Sequence, residues 1–306
     1  MKFEDLTPAR AQSASSARKW LAGFLALLIV IVVLFVAVRW DNGKDVPLLD
    51  GSTITVSPGI HLLGNLGPAA AYVIETSEGL VLIDSGLDSD AQPLKAEMAR
   101  LNLDWKRLHA IFLTHVHGDH SGGAEQLRAE TGAKIYAGQA DVDVLRVGDS
   151  RDAFYGTFKM PNHMPHPTTV DVALEGDETM TFGNVQMQVL DTPGHTLGST
   201  CYTIERAGLR VLFAGDVIVR LGDKPLGTYT TYMDPRYRGD AKSFLASLRK
   251  LRSIPVPDLL LPGHPRAART PQSPQLSQQQ WESMLDEGIR EMEQLVTRSE
   301  ANRADR

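Results

Sequence analysis

Two kinds of apolar pattern divide this chain. Residues 21–38 carry no charged side chain, and with Trp20 the run makes about 19 residues, roughly 28 Å of helix, which matches a bilayer core. Trp20 and Trp40 sit where aromatic belts form, and Lys19 and Arg39 lie just outside as snorkelling anchors. Val36-Ala37-Val38-Arg39 is a poor small-x-small processing site, so the run reads as an uncleaved anchor rather than a signal peptide. Lys2, Arg10, Arg18 and Lys19 precede the run, against Arg39 and Lys44 after it. The positive-inside bias therefore predicts a cytoplasmic N-terminus and a remainder on the outer or periplasmic side.

Beyond the anchor the apolar runs are shorter and alternate between strand and helix periods. Ala71-Tyr72-Val73-Ile74-Glu75 and Leu80-Val81-Leu82-Ile83-Asp84 predict a hairpin turning near Ser77 to Gly79. Leu94, Met98 and Leu101 share a helical face after Asp90, and His109-Ala110-Ile111-Phe112-Leu113-Thr114 reads as the next strand. A helix over 123–129 stopping near Gly132, strands over 134–137, 185–190 and 209–214, a helical face at Ser243, Phe244, Leu248 and Leu251, and a last strand from Leu259 complete the pattern. Strands alternating with helices, with hairpins among them, predict a mixed α/β fold with helices outside the sheets. Residues 148–169 are irregular and carry Phe154, Phe158, His163 and His166, which suggests a functional loop or lid. Trp281, Met284, Leu285, Met292 and Leu295 mark an amphipathic C-terminal helix. The predicted divisions are an N-terminal arm (1–19), an anchor (20–40), a linker (41–52), a globular domain (53–266), and a linker with the C-terminal helix (267–306).

Composition narrows the chemistry. A net charge of -6 gives no general attraction to phosphate backbones, so no nucleic-acid partner is expected. The single cysteine, Cys201, excludes an intramolecular disulfide and a thiolate cluster, and its strand-like setting makes it a buried, inert thiol. Any metal must then be held by imidazoles and carboxylates.

Those ligand types are concentrated in Thr114-His115-Val116-His117-Gly118-Asp119-His120. His115 and His117, two residues apart in extended backbone, project to the same side and can share one ion. Gly118 permits a sharp turn that directs Asp119 and His120 toward a second ion. Three further ligand-type residues follow predicted strands or turns: His195 in Asp191-Thr192-Pro193-Gly194-His195, Asp216 in Phe213-Ala214-Gly215-Asp216, and His264 in Leu261-Pro262-Gly263-His264. A lone His or Asp after Gly is commonly a turn residue, and the joint pattern is what points to a metal centre. Ser121-Gly122-Gly123 opens the next helix and suggests free N–H groups for an anionic substrate group. Tyr229 and Tyr232 are candidate pocket residues, whereas His61 and His109 read as structural.

This pattern resembles the metallo-β-lactamase superfamily, over roughly residues 53–266. The resemblance implies a four-layer αββα sandwich, here preceded by the single transmembrane helix, with two divalent ions, zinc in the first instance and iron or manganese as alternatives. It implies His115, His117 and His195 on one ion, Asp119, His120 and His264 on the other, and Asp216 bridging both. The bridging Asp implies a small-molecule thioesterase, lactonase or phosphodiesterase rather than a β-lactamase, and the short stretch between Asp216 and His264 leaves no room for the inserted domain of the superfamily's nucleases. Two ions sharing a water would present hydroxide to an ester, thioester or lactone, with Asp119 as the catalytic proton acceptor. Hydroxyacylglutathione hydrolase is a narrower reading, although those enzymes carry a basic helical C-terminal region where this chain offers one helix. The alternatives are a mononuclear iron sulfur dioxygenase-type oxidoreductase using His115, His195 and Asp216, a phosphodiesterase, and a binding protein without turnover.

Overall fold

Alternation with a period of two runs through the longer strands and assigns each side chain to one of two faces. The computed structural model describes residue 24 and residues 46–148, 166–219, 229–235, 239–265 and 271–304. Residues 47–306 form one compact unit, to which every strand of the sandwich belongs. Strands β1 (Ile54–Ser57), β2 (Ile60–Leu63), β3 (Ala71–Thr76) and β4 (Gly79–Ile83) form an antiparallel meander, and β5 (Leu108–Phe112), β6 (Lys134–Gly138) and β7 (Val172–Leu174) continue it in parallel into a 7-stranded sheet. Strands β8 (Thr179–Phe182), β9 (Val185–Asp191), β10 (Thr200–Arg206) and β11 (Leu209–Gly215) are antiparallel. A short ribbon pairs β12 (Ile218–Val219) with β13 (Thr230–Thr231), and β14 (Leu259–Pro262) adds in parallel to β11, closing a 5-stranded sheet.

The central strands of each sheet are buried on both faces, which requires helices outside and the other sheet inside, whereas β8 and β9 expose alternate residues. On the outer face of the first sheet, Val73, Leu80, Leu82, Ile111 and Ile135 pack with Leu94 and Met98 of α1 (Gln92–Arg100) and Leu127 of α3 (Ala124–Thr131), α2 being the short Gly118–Ser121 turn between them. On the outer face of the second sheet, Cys201, Leu212, Ala214 and Leu260 meet Phe244, Leu248 and Leu251 of α5 (Ala241–Ser253) and Trp281 and Leu285 of α6 (Gln278–Ala304), with α4 (Val142–Val147) lying earlier in the chain. Helix α5 starts where Asp240 accepts the Ser243 N–H at 2.7 Å, an N-cap that satisfies an otherwise orphaned donor. Residues on the opposite strand faces meet between the sheets. There Phe112 is edge-on to Tyr202 and Phe182, and Tyr72 is edge-on to Phe213.

Two of these tyrosines tie the sheets together reciprocally. Tyr72 of the first sheet donates to the Pro262 carbonyl of β14 at 2.6 Å, and Tyr202 of the second donates to the Leu113 carbonyl just past β5 at 2.6 Å. Burial pushes both phenols well above their ordinary range, so each remains a protonated donor. Both acceptor strands lead into ligand-type residues: Leu113 into His115, and Pro262 into His264.

The sandwich follows the alternating pattern, but the transmembrane part of the expected architecture is corrected. Among the described residues no helix is long and apolar enough to cross a membrane. Only α6, at 27 residues, has the length among the described helices, and its sequence carries charged residues throughout. The run at 20–40 lies outside the described residues apart from Phe24. An uncharged run supplies span length alone, so the membrane as a partner and the outer-face or periplasmic localisation derived from it are withdrawn. Residues 149–165 of the suggested loop, with Phe154, Phe158 and His163, also lie outside the described residues. Upstream of residue 53, Leu49 pairs with Gln272 through two backbone hydrogen bonds of 2.6 and 2.8 Å, which binds that stretch to the segment before α6.

Replacing Tyr72 or Tyr202 by Phe removes one buried donor from the intersheet layer. Each substitution is expected to lower unfolding free energy by about 1–2 kcal/mol, read as a lower urea midpoint with unchanged slope.

Candidate metal centre

The ligand-type residues all sit just past the ends of strands, where the backbone leaves the ladder and side chains can converge. His115 and His117 follow β5, and α2 turns Asp119 and His120 back over them, with the His120 and Ser121 N–H groups both donating to the His117 carbonyl at 3.0 Å. His195 follows β9, Asp216 follows β11, and His264 follows β14. Two glycines permit the approach. Gly194 has φ 138°, and a Cβ there would lie 2.4 Å from Phe244 Cα; a Cβ on Gly263 would lie 2.6 Å from both Asp216 Oδ1 and His120 Cε1.

Each imidazole is oriented from behind. His195 Nδ1 lies 3.3 Å from the Tyr232 carbonyl and His264 Nδ1 lies 2.9 Å from the Pro68 carbonyl, so in both rings Nδ1 carries the proton and Nε2 a lone pair in the neutral form. Thr114 Oγ1 donates to Asp84 Oδ2 at 2.9 Å and therefore accepts from His115 Nδ1 at 3.0 Å. His120 Nδ1 donates to Asp84 Oδ2 at 2.8 Å. In the neutral rings four Nε2 lone pairs thus point inward.

There they crowd one another. His117 Nδ1 is 2.9 Å from His115 Nε2 and 3.1 Å from His195 Nε2, while His120 Nε2 is 3.4 Å from His264 Nε2. Asp216 Oδ2 lies 3.0 Å from His264 Nε2 and 3.7 Å from His195 Nε2, so its carboxylate reaches both halves. Its Oδ1 is buried and, although 3.3 Å from His120 Nε2, has no partner with hydrogen-bond geometry among the described residues. Asp119 Oδ2 lies 3.6 Å from His264 Nε2 and 3.8 Å from His120 Nε2. Ligand atoms fall within 4.8 Å of one another in three groups: His115, His117 and His195; His115, His120 and Asp216; and Asp119, His120 and His264. Converging lone pairs and carboxylate oxygens are the arrangement a cation satisfies, and the nitrogen and oxygen donors fit one or two zinc-type divalent ions.

The electrostatics differ between the halves. Burial pushes His195 down to about 3, with Asp216 opposing and His117 adding, and burial together with the neighbouring imidazoles pushes His115 well below its ordinary value. Burial also lowers His120, but Asp216, Asp119 and Asp84 outweigh it and leave that ring raised. His264 is raised through Asp216 against the same penalty. Burial raises Asp216, and His264 and His120 reverse this to hold it well below the usual carboxylate range. His115 and His195 are therefore neutral imidazoles, whereas His120 and His264 are imidazoles paired with carboxylates.

A family model described as the metallo-β-lactamase superfamily matches residues 64–264, which contain every one of these ligand-type residues. The chain belongs to the metallo-β-lactamase superfamily. Within the superfamily it is 30% identical over 207 residues to a hydroxyacylglutathione hydrolase of Rhodospirillum rubrum, covering 67% of this chain and 65% of that one. It is 31% identical over 175 residues to one of Cereibacter sphaeroides, covering 57% and 54%. The matched stretch thus spans less than two thirds of these relatives. Among solved structures, the metallo-β-lactamase GOB-18 of Elizabethkingia meningoseptica superposes with a TM-score of 0.64 at 22% identity, over 83% of this chain and 97% of that one. The subclass B3 metallo-β-lactamase BJP-1 of Bradyrhizobium japonicum gives 0.61 at 25%, over 80% and 93%. These likenesses identify the superfamily's αββα sandwich.

All seven ligand-type residues are brought together, and the other expectations divide. Ser121 and Gly122 do not offer free N–H groups, because Ser121 N donates to the His117 carbonyl and Gly122 N to the Gly86 carbonyl. Tyr229 is buried against the α5–α6 side and donates to the Ser273 carbonyl, whereas Tyr232 stands beside His195 with ring centroids 5.6 Å apart. Cys201 is buried, its thiol pushed up to about 12 by that burial. His61 bonds Thr55 and Glu75, and His109 packs on Phe182; neither joins a ligand group among the described residues. Asp84 was not singled out from the sequence. It adopts φ 58° and accepts from Thr114 N, Thr114 Oγ1 and His120 Nδ1, and its one signal is a carboxylate closing an apolar strand before Ser85-Gly86.

Asp84→Asn keeps the size and tolerates the left-handed backbone, but sets an NH₂ group against a donor. It is expected to weaken zinc binding about 10–100-fold in a chelator competition, with the fold retained.

Proposed function

We propose that the protein is a metal-dependent hydrolase of a small ester, thioester or lactone, with Asp119 as its catalytic proton acceptor. His115, His117 and His195 would hold one ion, Asp119, His120 and His264 the other, with Asp216 between them. The observation that carries this reading is the convergence of all seven side chains into one buried cluster, with Asp216 within 3.7 Å of a ring nitrogen from each half. Two divalent ions, when bound, lower the pKa of a shared water toward neutrality and polarise the scissile carbonyl.

The chain's own residues set up the remainder. The Tyr232 and Pro68 carbonyls fix the outer protons of His195 and His264, leaving their Nε2 lone pairs inward. Asp119 is buried at the edge of the cluster, next to the half-buried His264 and on the α2 turn, a position from which its carboxylate can orient the attacking water and take its proton. Asp216 supplies negative charge shared by both halves. Among substrate classes, thioesters are favoured by the hydroxyacylglutathione hydrolase relatives. The alternative of a mononuclear iron oxidoreductase built on His115, His195 and Asp216 leaves the converging Asp119, His120 and His264 unused.

The test is turnover of a panel of thioesters, lactones and phosphodiesters by protein purified with its metal retained. Thioester or lactone hydrolysis is expected, lost on chelation and restored by zinc. Asp119→Asn should lower kcat by about 10²–10⁴ with circular dichroism unchanged. Full activity in that variant would refute the role given to Asp119.

A further inference from the structure

One buried carboxylate outside the ligand set touches two ligand-bearing loops at once. Asp141, 3% exposed, ends the 3-10 turn Gln139–Asp141 after β6. Its Oδ2 accepts the Val116 N–H at 3.0 Å and the Thr196 hydroxyl at 2.7 Å, and its Oδ1 accepts the Gly198 N–H at 3.1 Å. Val116 lies between His115 and His117, and Thr196 follows His195 directly. These three hydrogen bonds therefore span the loops that carry all three residues of the three-histidine group.

The packing leaves this arrangement little slack. A Cβ on Gly198 would lie 2.6 Å from Asp141 Cγ, and one on Gly138 would lie 2.1 Å from the Gly198 carbonyl oxygen, so the His195 loop is seated on the Asp141 turn at backbone contact. The Thr196 N–H is in turn taken by Ser199 Oγ at 2.8 Å, which closes the loop on itself. Asp84 serves the opposite side, through His120 and Thr114.

We propose that Asp141 is a positioning residue that sets the ion affinity of the three-histidine half and leaves the other half largely untouched. The proposal rests on the two-ion ligand assignment under the hydrolase reading. An Asn at this position keeps the volume but turns one oxygen into an NH₂ group. In one orientation that group faces the Val116 N–H and the His115–His117 loop loses its bond; in the other it faces the Gly198 N–H and the His195 loop loses one of its two. Metal–ligand distances tolerate about 0.2 Å, so a small relaxation of the His195 loop away from His115 and His117 is enough to weaken an ion held among them.

The experiment is a calorimetric zinc titration of the full chain after chelation. Wild type is expected to bind zinc in two steps. D141N should weaken one step about 10–100-fold and leave the other within about twofold. With H195A already present D141N should add no further loss, whereas with H264A it should keep its full effect. Two unchanged steps in D141N, equal weakening of both, or an undiminished effect in H195A would overturn the proposal. If D141N does not fold, T196V removes a single donor and should weaken the same step partially; an unweakened T196V overturns the proposal equally. Fewer than two steps in wild type would contradict the two-ion reading itself, while two wild-type steps beside an unaffected D141N would contradict the role of Asp141 alone.

Discussion

Five imidazole nitrogens meet one another across 2.9 to 3.4 Å with two carboxylates among them, and in their neutral forms the rings bring more acceptors than protons to this centre. The outer hydrogen bonds to Tyr232, Pro68, Thr114 and Asp84 already use the opposite ring nitrogen in His195, His264, His115 and His120. Buried polar groups without partners are costly, and the least costly resolution here is positive charge at the centre. Cation binding is therefore a property of how the donors are tethered, and the rest of the fold can be understood as what holds the tethers in place.

The two sheets divide that work. The first delivers His115, His117, Asp119 and His120 from one loop after β5; the second delivers His195, Asp216 and His264 from three separate strand ends. A centre split in this way depends on the register between sheets. Tyr72 and Tyr202 supply it by reaching across in opposite directions to carbonyls that immediately precede ligand loops. Asp84 and Asp141 supply the finer adjustment, one on each side of the His115–His120 loop. Gly263 lets the His264 loop approach Asp216 and His120 more closely than any side chain would permit, and Gly194 seats the His195 loop against Phe244 of α5.

How much of this was legible in the sequence depended on distance along the chain. The His-x-His-x-Asp-His cluster is local, and its spacing alone brings four ligand types into one turn; His195, Asp216 and His264 were readable because each follows an apolar strand and a glycine. Strands such as β3, β4, β10 and β11 stand out as apolar runs bounded by turn residues, and β9 by its alternation. The short strands β1, β2, β7, β8, β12 and β13 offer too few residues for a period to register. Asp84 and Asp141 act through partners far away in sequence, so nothing near them distinguishes them from ordinary turn carboxylates. The uncharged run at 21–38 showed the converse: a local pattern of suitable length suggested a membrane span, and no described helix is long and apolar enough to be one.

The central claim is that the cluster holds two ions, one in each half. Anomalous diffraction at the zinc edge from crystals of the zinc-loaded protein tests it most directly. Two peaks are predicted, one among His115, His117 and His195 and one among Asp119, His120 and His264, with the Asp216 carboxylate between them. A single peak, or none within reach of these side chains, would contradict the account.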